Sequence, residues 1–481
     1  MSNQERYTGQ DLINMGCVEG PELGAILRTV NAKQHTRDEV LALIQANKPE
    51  PVLKQLDQAA DCQFNIAAGN DLEASNIAAV RATMDIVLRT PVVLEGAVMP
   101  DACPAGPVGT IPVGGVVAAQ DAIIPGMHSA DICCSLMATV FEDSTPAEVM
   151  DAAHKATHFG FGGREPERAV ELSDGLADAV DALPFPALHQ IARTHMGTQG
   201  DGNHFLYVGT LESTGHTVMV THHGSRGFGA RLYKEGMKMA LRWRDKLSPS
   251  TGNANAWIPF DSDEGRKYWD ALQVVRAWTK ENHTSLHDLT LESVQGGVHD
   301  RFWNEHNFVF REELPDDKNI FWHAKGATPI HNDFMPDSSG VQIVPLNMAE
   351  PVLFVKGQRN ASNRGFAPHG AGRNMSRSAH KRKLSGRPDK EILKEETQGL
   401  DVRFYTGVAD ISELPSAYKN ADNVVRDMQA FDLATVVDRV LPFGSIMAGD
   451  GNRDAPWRKK RKARSQLRDK QQRAKRDRTR G

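Results

Sequence analysis

The feature of the sequence that most restricts its fold is a set of five short islands that place histidine, cysteine or aspartate beside glycine or another small residue. Each island borders a short apolar run, so these side chains fall where strands end and chain segments converge. In chain order the islands read SADICCSL, GDGNHF, VTHHGSRGFG, NEHNF and PHGAGR. A single histidine beside glycine is most often structural, but five islands in one chain favour a common site.

These islands supply thiolate, imidazole and carboxylate groups, the usual ligands of divalent metal ions. The residues are Asp131 and Cys134, Asn203 and His204, His222, His223 and Arg226, His306 and Asn307, and His369 and Arg373. A thiolate that bridges two ions would leave coordination positions open for phosphate oxygens. Ligand softness alone favours zinc, because manganese prefers oxygen donors.

Phosphate binding is indicated by fixed positive charge next to small residues. Arg226 and Arg373 each follow a histidine closely and can bind phosphate through bidentate hydrogen bonds. Gly370, Ala371 and Gly372 let backbone N–H groups approach an anion. The sequence contains no Walker-type phosphate loop and no nucleophile elbow. The residues alone therefore predict a dinuclear metal enzyme that acts on phosphates.

The distribution of residue types along the chain predicts three regions. Residues 1–56 read as a small helical extension with an N-cap at Thr36, and residues 57–450 alternate helical segments with short apolar runs and glycine-rich connections. This alternation predicts an α+β domain with mixed sheets. We expect the low-complexity residues 451–481 to be a disordered basic tail.

Charge is distributed unevenly between this tail and the rest of the chain. From Arg458 onwards, 13 lysines and arginines face 2 aspartates, a net charge of +11, while the remaining residues carry −16. Such a tail predicts contact with RNA or the ribosome, the alternative being a solvated tail that only aids solubility. The chain has no apolar run of about 20 residues and no signal peptide at its polar N-terminus, so we expect a cytoplasmic protein without a membrane partner.

Eight stretches between about residues 99 and 425 resemble the RtcB family of RNA-splicing ligases. They are MPDACPAGPVGTIP, AIIPGMHSADICC, GTQGDGNHF, HHGSRGFG, NEHNF, AKGATP, HGAGRNMSR and SAYKNADNVV, in collinear order. The resemblance implies a single large catalytic domain with mixed sheets around a dinuclear metal site.

The resemblance also implies roles for individual residues. One metal ion would be held by Asp131, Cys134 and His204, and the second by Cys134, His222 and His306. The family uses two manganese ions, which replaces the expectation of zinc and leaves zinc or cobalt as possible substitutes. His369 would be the nucleophile that accepts the nucleotide. The implied guanylate or phosphate contacts are Asn203, Arg226, Asn307, Gly370, Ala371, Gly372, Arg373 and Tyr418.

The implied activity is a GTP- and manganese-dependent RNA ligase. It would join RNA 3′-phosphate or 2′,3′-cyclic phosphate ends to 5′-hydroxyl ends through a nucleotidyl-histidine, in tRNA processing or in the repair of tRNA or rRNA fragments. Two alternatives stay open. One is a metal-dependent RNA-end phosphatase or cyclic phosphodiesterase that has lost nucleotidyl transfer, and the other is a non-catalytic RNA-binding metalloprotein.

The sequence departs from the family pattern in four places. Cys103 stands where histidine is usual, and Tyr207 replaces a glutamate that reads the guanine edge. The nucleotide loop reads PLNMAE at 345–350, and the last strand, LPFGSIMAGDG, lacks the family's terminal lysine. Because the metal ligands and His369 all remain, the departures predict intact phosphoryl chemistry with a changed nucleotide or RNA preference.

The remaining candidates are assigned to structure. We interpret Cys103 as a buried thiol rather than a ligand. Lys325 either supports the site or binds phosphate, the alternative being a surface lysine before a turn. The histidines interpreted as structural or surface residues are His223, His299, His323, His331 and His380.

Overall fold

The computed structural model describes residues 6–17, 21–33, 35–47, 52–160, 162–335 and 339–450. The basic tail at 451–481 lies outside these residues, so its disorder and its contact with RNA or the ribosome stay predictions. The chain divides into two compact units, Met1–Lys54 with Arg244–Ser250, and Gln55–Trp243 with Thr251–Gly481. None of the helices formed by the described residues combines the length and apolar content that a bilayer crossing requires.

The described residues form thirteen α-helices and seventeen β-strands. The helices are α1 (Gly9–Asn14), α2 (Pro21–Ala32), α3 (Arg37–Ala46), α4 (Asp71–Leu88), α5 (Pro125–His128), α6 (Pro146–Ala156), α7 (Asp174–Asp181), α8 (Pro186–Thr194), α9 (Arg226–Leu247), α10 (Asp263–Leu291), α11 (Arg377–Lys383), α12 (Asp389–Glu396) and α13 (Ala421–Ala430). The strands are β1 (Asp61–Phe64), β2 (Val93–Cys103), β3 (Val113–Gln120), β4 (Ala122–Ile123), β5 (Ser135–Phe141), β6 (Phe205–Leu211), β7 (Thr217–His223), β8 (Ile258–Pro259), β9 (Val298–Glu305), β10 (Asn307–Glu313), β11 (Asn319–Lys325), β12 (Ala327–Pro329), β13 (Gln342–Pro345), β14 (Val352–Lys356), β15 (Phe366–Pro368), β16 (Asp401–Phe404) and β17 (Thr435–Met447).

The smaller unit contains α1, α2 and α3, and α1 and α3 each begin at a capping box. Thr36 accepts a hydrogen bond from the backbone of Glu39, whose carboxylate accepts one from the backbone of Thr36 in return. This confirms the N-cap predicted at Thr36. The helices bury a small apolar cluster that contains Leu12, Ile26, Val30, Val40 and Ile44.

The larger unit is built on two main sheets. A five-stranded sheet has the order β1-β2-β3-β11-β10, and an eight-stranded sheet follows the order β13-β14-β17-β6-β7-β5-β9, with β16 beside β17. The pairs β1–β2 and β16–β17 are parallel, whereas the other pairs of these two sheets are antiparallel. The predicted α+β fold with mixed sheets is therefore confirmed.

The eight-stranded sheet curls until its edge strands β9 and β13 meet. The fully buried Asn304 side chain on β9 accepts a hydrogen bond from the backbone N–H of Ile343 at 2.9 Å and donates one to its carbonyl at 3.4 Å. A side-chain amide thus takes over the pairing that a backbone ladder would provide. The interior of this nearly closed barrel is apolar and includes Leu136, Ala138 and Tyr207.

The opposite face of this sheet packs against α10 through a buried polar seam. His283 and His287 of α10 both contact the Thr221 hydroxyl, at 2.6 and 2.8 Å, and His287 also contacts Thr139 at 2.7 Å. The His223 ring stacks on His283 with centroids 3.5 Å apart. His223 is therefore structural, as its sequence context predicted, whereas the roles of His283 and His287 depend on the packing of α10 and were not predicted.

Candidate metal centre and nucleotide pocket

The five candidate metal ligands lie at one end of four neighbouring strands. Cys134 immediately precedes β5, His204 immediately precedes β6, His222 is near the end of β7, and His306 immediately follows β9. These strands are adjacent in the order β6-β7-β5-β9 and antiparallel, so the starts of β5 and β6 meet the ends of β7 and β9. Sheet topology therefore collects residues that are far apart in the sequence.

The first ligand group contains Asp131, Cys134 and His204. The His204 Nε2 atom lies 3.1 Å from the Asp131 carboxylate and 3.8 Å from the Cys134 sulfur. Asp131 approaches because residue 224 is glycine, where a Cβ atom would lie 2.1 Å from its carboxylate oxygen. Cys133, between the two ligands, adopts a φ of 57°, the left-handed turn that joins Asp131 to Cys134.

The second ligand group contains Cys134, His222 and His306. The His222 Nε2 atom lies 3.2 Å from the Cys134 sulfur and 3.2 Å from the His306 Nε2 atom. Metal–ligand bonds of about 2.1–2.3 Å at tetrahedral angles require ligand separations near 3.4–3.7 Å, close to the distances in both groups. Cys134 belongs to both groups, so its sulfur is placed to bridge two ions.

Hydrogen bonds orient two of the ligand imidazoles toward this centre. The Nδ1 atom of His204 lies 2.7 Å from the Gln199 carbonyl, and that of His222 lies 3.1 Å from the Asn203 carbonyl. An Nδ1–H that donates to a carbonyl leaves the Nε2 lone pair free for a metal ion. The donor set and its supporting bonds therefore fit two divalent cations.

The electrostatics of the site favour neutral imidazoles at His222 and His306 and an ionised carboxylate at Asp131. Burial would raise the pKa of Asp131, but the charge and hydrogen bond of His204 outweigh it and bring that pKa to about 2. Burial lowers the pKa of His222 to about 3 and the pKa of His306 well below its ordinary value. Burial and Asp131 raise the pKa of the Cys134 thiol, an effect that a coordinated cation would reverse.

The candidate nucleophile His369 follows β15, and its ring centroid lies 4.8 Å from that of His306. Its Nδ1 atom is bonded to the fully buried carboxylate of Asp101, which also accepts the His369 backbone N–H at 3.2 Å. With Nδ1 occupied, Nε2 is the nitrogen available for attack on a substrate. Asp101 lies within the MPDAC stretch, but the sequence analysis did not assign it a role.

The loop after His369 passes very close to the strand that carries Asp101. Gly372 has a φ of 71°, and a Cβ atom at this position would lie 2.0 Å from the Asp101 carbonyl oxygen. Glycine is required here by both the left-handed conformation and the close backbone approach. The small residues predicted for anion binding therefore also hold the nucleophile loop against β2.

A cavity of about 320 Å³ opens beside His369. Its lining includes the predicted residues Asn203, His222, His369, Gly370, Ala371, Gly372, Arg373 and Tyr418. The Arg373 guanidinium donates to Glu413 at 3.0 Å and to the Ser412 carbonyl at 2.7 Å, and Arg377 also pairs with Glu413. The Tyr418 hydroxyl donates to Glu413 at 2.7 Å. The fully buried Glu413 thus holds two arginines at the cavity wall, a role that the sequence did not reveal.

Apolar side chains form another part of the cavity wall, which also includes Tyr207, at the position where the resemblance implies a base-reading carboxylate. Phe205, Leu346, Met348 and Met447 contribute to its walls. The Tyr207 hydroxyl donates to the Val440 carbonyl at 2.9 Å, and burial raises the pKa of Tyr207. A neutral phenol offers one uncharged acceptor oxygen, whereas a carboxylate offers two oxygens that share a negative charge, so Tyr207 is a weaker acceptor than a glutamate.

Two predicted phosphate contacts do not line the cavity, and they stay predictions. The Arg226 guanidinium donates to the Gly160 carbonyl at 2.7 Å and to the Thr198 hydroxyl at 3.2 Å. The Asn307 side chain accepts the Gly326 N–H at 2.7 Å and donates to the Asp131 carbonyl at 3.3 Å. Both side chains support the backbone around the metal ligands.

Cys103 and Lys325, whose roles the sequence left open, both lie close to the site. Cys103 lines the cavity and belongs to neither ligand group of the described residues. The Lys325 ammonium donates to the Ile111 carbonyl at 2.9 Å, and burial lowers the pKa of Lys325 to about 8, so this residue is not a surface lysine.

Comparison with known proteins identifies the family of this chain. The family model described as tRNA-splicing ligase RtcB matches residues 142–448, well over half of the chain. The chain belongs to the RtcB family. The matched range contains His204, His222 and His306, three of the five candidate ligands, together with His369. It confirms the resemblance identified from the sequence.

Relatives named tRNA-splicing ligase RtcB occur in several archaea. The protein of Pyrococcus abyssi is 27% identical over 346 residues, which are 62% of this chain and 36% of that protein. The proteins of Aeropyrum pernix and Archaeoglobus fulgidus are 28% and 27% identical over 59% and 61% of this chain, and 66% and 68% of their own lengths. The chain thus spans about a third of the Pyrococcus RtcB and about two thirds of the other two.

Proposed function

We propose that this RtcB-family chain is a GTP- and manganese-dependent RNA ligase that joins RNA 3′-phosphate or 2′,3′-cyclic phosphate ends to 5′-hydroxyl ends. The observation that carries the proposal is that two ligand groups share Cys134 and lie directly beside His369. Asp101 holds the Nδ1 atom of that histidine. A pair of cations next to a fixed imidazole nucleophile suits transfer of a nucleotidyl group.

The first step forms a nucleotidyl-histidine. Two manganese ions held by the ligand groups would supply positive charge that makes the α-phosphorus of GTP more electrophilic. His369 Nε2 attacks this phosphorus, the bond to the β-phosphate oxygen breaks, and pyrophosphate leaves. Asp101 accepts the hydrogen bond of the Nδ1–H, which stays on the ring, and its negative charge stabilises the positive charge that develops there, as the carboxylate of a catalytic triad does.

The arginines of the cavity act on the phosphate oxygens. Arg373 is fixed by Glu413 and by the Ser412 carbonyl, so its positive charge is oriented before the substrate binds. The Arg377 side chain is 48% exposed and lies near Asn203, so it can turn toward a bound phosphate. Glu413 raises the pKa of Arg377 against the effect of burial, which keeps the guanidinium charged.

The second and third steps transfer the nucleotide and join the RNA. A 2′,3′-cyclic phosphate end is first hydrolysed: water attacks its phosphorus, the P–O2′ bond breaks, and the 2′-oxygen takes up a proton. An oxygen of the RNA 3′-phosphate then attacks the phosphorus bound to His369, the P–N bond breaks, and the guanylate becomes attached to the RNA end. The 5′-hydroxyl oxygen then attacks the RNA phosphate, loses its proton and expels GMP, which leaves a phosphodiester. The substrate class is tRNA or rRNA fragments, for splicing or repair.

Nucleotide labelling tests the proposal directly. The full chain is incubated with manganese and α-labelled GTP or ATP, denatured, and examined for acid-labile label on the protein, with His369→Ala as control. We expect label that disappears in the variant. If metal-loaded protein takes no label from either nucleotide but releases phosphate from RNA ends, the chain is the metal-dependent phosphatase or cyclic phosphodiesterase instead.

A further inference from the structure

A second cavity, of about 470 Å³, lies on the other face of the sheet that carries the metal ligands. Met137 lines this cavity and pairs with Trp303, whereas its neighbour Leu136 pairs with the ligand His222. Successive residues of a strand point to opposite faces, so this cavity and the metal centre lie on opposite sides of β5 and β9. We call the cavity the α10–β9 cleft.

Two rows of side chains form the cleft. Gln273, Arg276 and Lys280 lie on one face of α10, because Arg276 follows Gln273 by three residues and Lys280 follows it by seven. Arg301 and Trp303 extend from alternate positions of β9. The cleft therefore places an amide and three cationic groups around one half-buried indole ring.

Charge in the cleft is predominantly positive. Arg276 pairs with the buried Glu305, and Arg301 pairs with Asp288 at 2.7 Å. Lys280 is exposed, and among the described residues it forms no ion pair, so its charge is in excess. Its ammonium lies 5.7 Å from the Trp303 ring centroid, and the Arg276 guanidinium carbon lies 5.8 Å from the same centroid. Positive groups thus flank an aromatic ring, an arrangement that suits a phosphate attached to a flat base.

Two donors at the cleft wall lack acceptors. The Nε1 of Trp303 and the Nε2 of Gln273 are buried, and neither has a hydrogen-bond partner within the ranges that the structure describes. A buried donor without an acceptor costs about 1–3 kcal/mol, so such groups are usually satisfied by water or a ligand. Base edges, ribose hydroxyls and phosphate oxygens all offer acceptors.

We infer that the α10–β9 cleft binds a nucleotide of a single-stranded RNA. The base stacks on Trp303, and a neighbouring phosphate contacts Lys280 and Arg276. The inference extends the proposed function, because it gives the RNA a contact separate from the nucleotide pocket at His369. Trp303 is only three residues from the ligand His306, about 10 Å along an extended strand, so the two sites are close enough for one RNA strand to reach both.

Binding of RNA to the full chain, measured by fluorescence anisotropy without GTP, tests the inference. The probe is a labelled single strand of about twelve nucleotides, a length within the range that single-stranded sites cover. The variants are Lys280→Ala and Trp303→Leu, and the matched control is Lys267→Ala, an exposed lysine on the same helix outside the cleft. We expect the two cleft variants to bind about tenfold more weakly and the control to bind like wild type.

Crosslinking with RNA that contains 4-thiouridine locates the contact independently, and it does not require a variant that folds. We expect crosslinked peptides from β9 or α10. Unchanged affinity in both folded cleft variants, or crosslinks confined to other segments, would overturn the inference. If free AMP or GMP occupies the cleft but RNA does not, the cleft is a mononucleotide site. That result would also overturn the inference. Binding of an acidic peptide in preference to RNA would have the same consequence.

Labelling of His369 separates this inference from the proposed function. The cleft variants should take up nucleotide label like wild type, because the cleft lies on the face opposite to His369. If no form of the protein is labelled but the cleft variants still bind RNA more weakly, the ligase proposal fails and the cleft assignment stands.

Discussion

Replacing Asp101 by asparagine tests whether this carboxylate orients the nucleophile. Its Oδ2 atom accepts both the backbone N–H and the Nδ1–H of His369. A hydrogen bond to a charged group contributes about 1.5–3 kcal/mol, and a bond between neutral groups about 0.5–1.5 kcal/mol. If the amide oxygen still accepts, the loss is roughly 1.5 kcal/mol, or about tenfold in rate. If the amide nitrogen faces the ring, the loss approaches about 3 kcal/mol, or roughly a hundredfold.

Single-turnover labelling with manganese and α-labelled GTP measures this loss. We expect Asp101→Asn to lower the maximal rate of label uptake by about 10- to 100-fold. The GTP concentration that gives half the maximal rate should stay the same, because Asp101 contacts His369 and does not line the nucleotide cavity. Asp270→Asn, an exposed aspartate on α10, is the control. A maximal rate within twofold of wild type in folded protein, or a loss caused entirely by weaker GTP binding, would refute the positioning role.

Three further predictions follow from the two ligand groups and the cavity. Metal analysis should find two manganese ions per wild-type chain, one in His204→Ala and none in Cys134→Ala, since only Cys134 belongs to both groups; equal losses in both variants would contradict the shared thiolate. Tyr207→Glu should raise the ratio of GTP to ATP labelling by about tenfold or more, because a carboxylate accepts from the guanine edge; an unchanged ratio would show that position 207 does not read the base. Gly372→Ala should lower the free energy of unfolding by about 2 kcal/mol or more, measured by urea denaturation, through its positive φ and its clash with the Asp101 carbonyl; a smaller change than in Gly175→Ala, where a Cβ meets no neighbour, would contradict this reasoning.

The residue pattern predicted a common metal site because the islands lie next to short apolar runs, whereas the resemblance to the RtcB family supplied the five individual ligands. Residues at the ends of strands in one sheet meet at a common edge, so the five islands could be assigned to one site before the strand order was known. The sequence could not give the order β6-β7-β5-β9, which depends on pairings between segments that are up to 170 residues apart.

Other features of the site could not be predicted because their partners are distant and chemically ordinary. Asp101 and Glu413 are single carboxylates with no histidine or cysteine next to them, and only the fold brings them to His369 and Arg373. Arg226 and Asn307 had the residue types that suit a phosphate, but their hydrogen bonds go to neighbouring protein groups. Residue type predicts the chemistry that a side chain can perform, whereas the direction in which it points depends on tertiary packing.

The alternation of side chains along β5 and β9 connects the two sites of the larger unit. On one face, Leu136 and Asn304 lie toward the barrel interior, and the ligands Cys134 and His222 continue that face to the metal centre. On the other face, Met137 and Trp303 line the cleft beside α10. A shift of β9 by one residue would exchange the two faces and would displace His306 from its ligand group. The two hydrogen bonds between Asn304 and Ile343 oppose such a shift, because they fix β9 against β13 at one register. The same side-chain amide that closes the barrel therefore holds both the second metal group and the indole of the cleft in place.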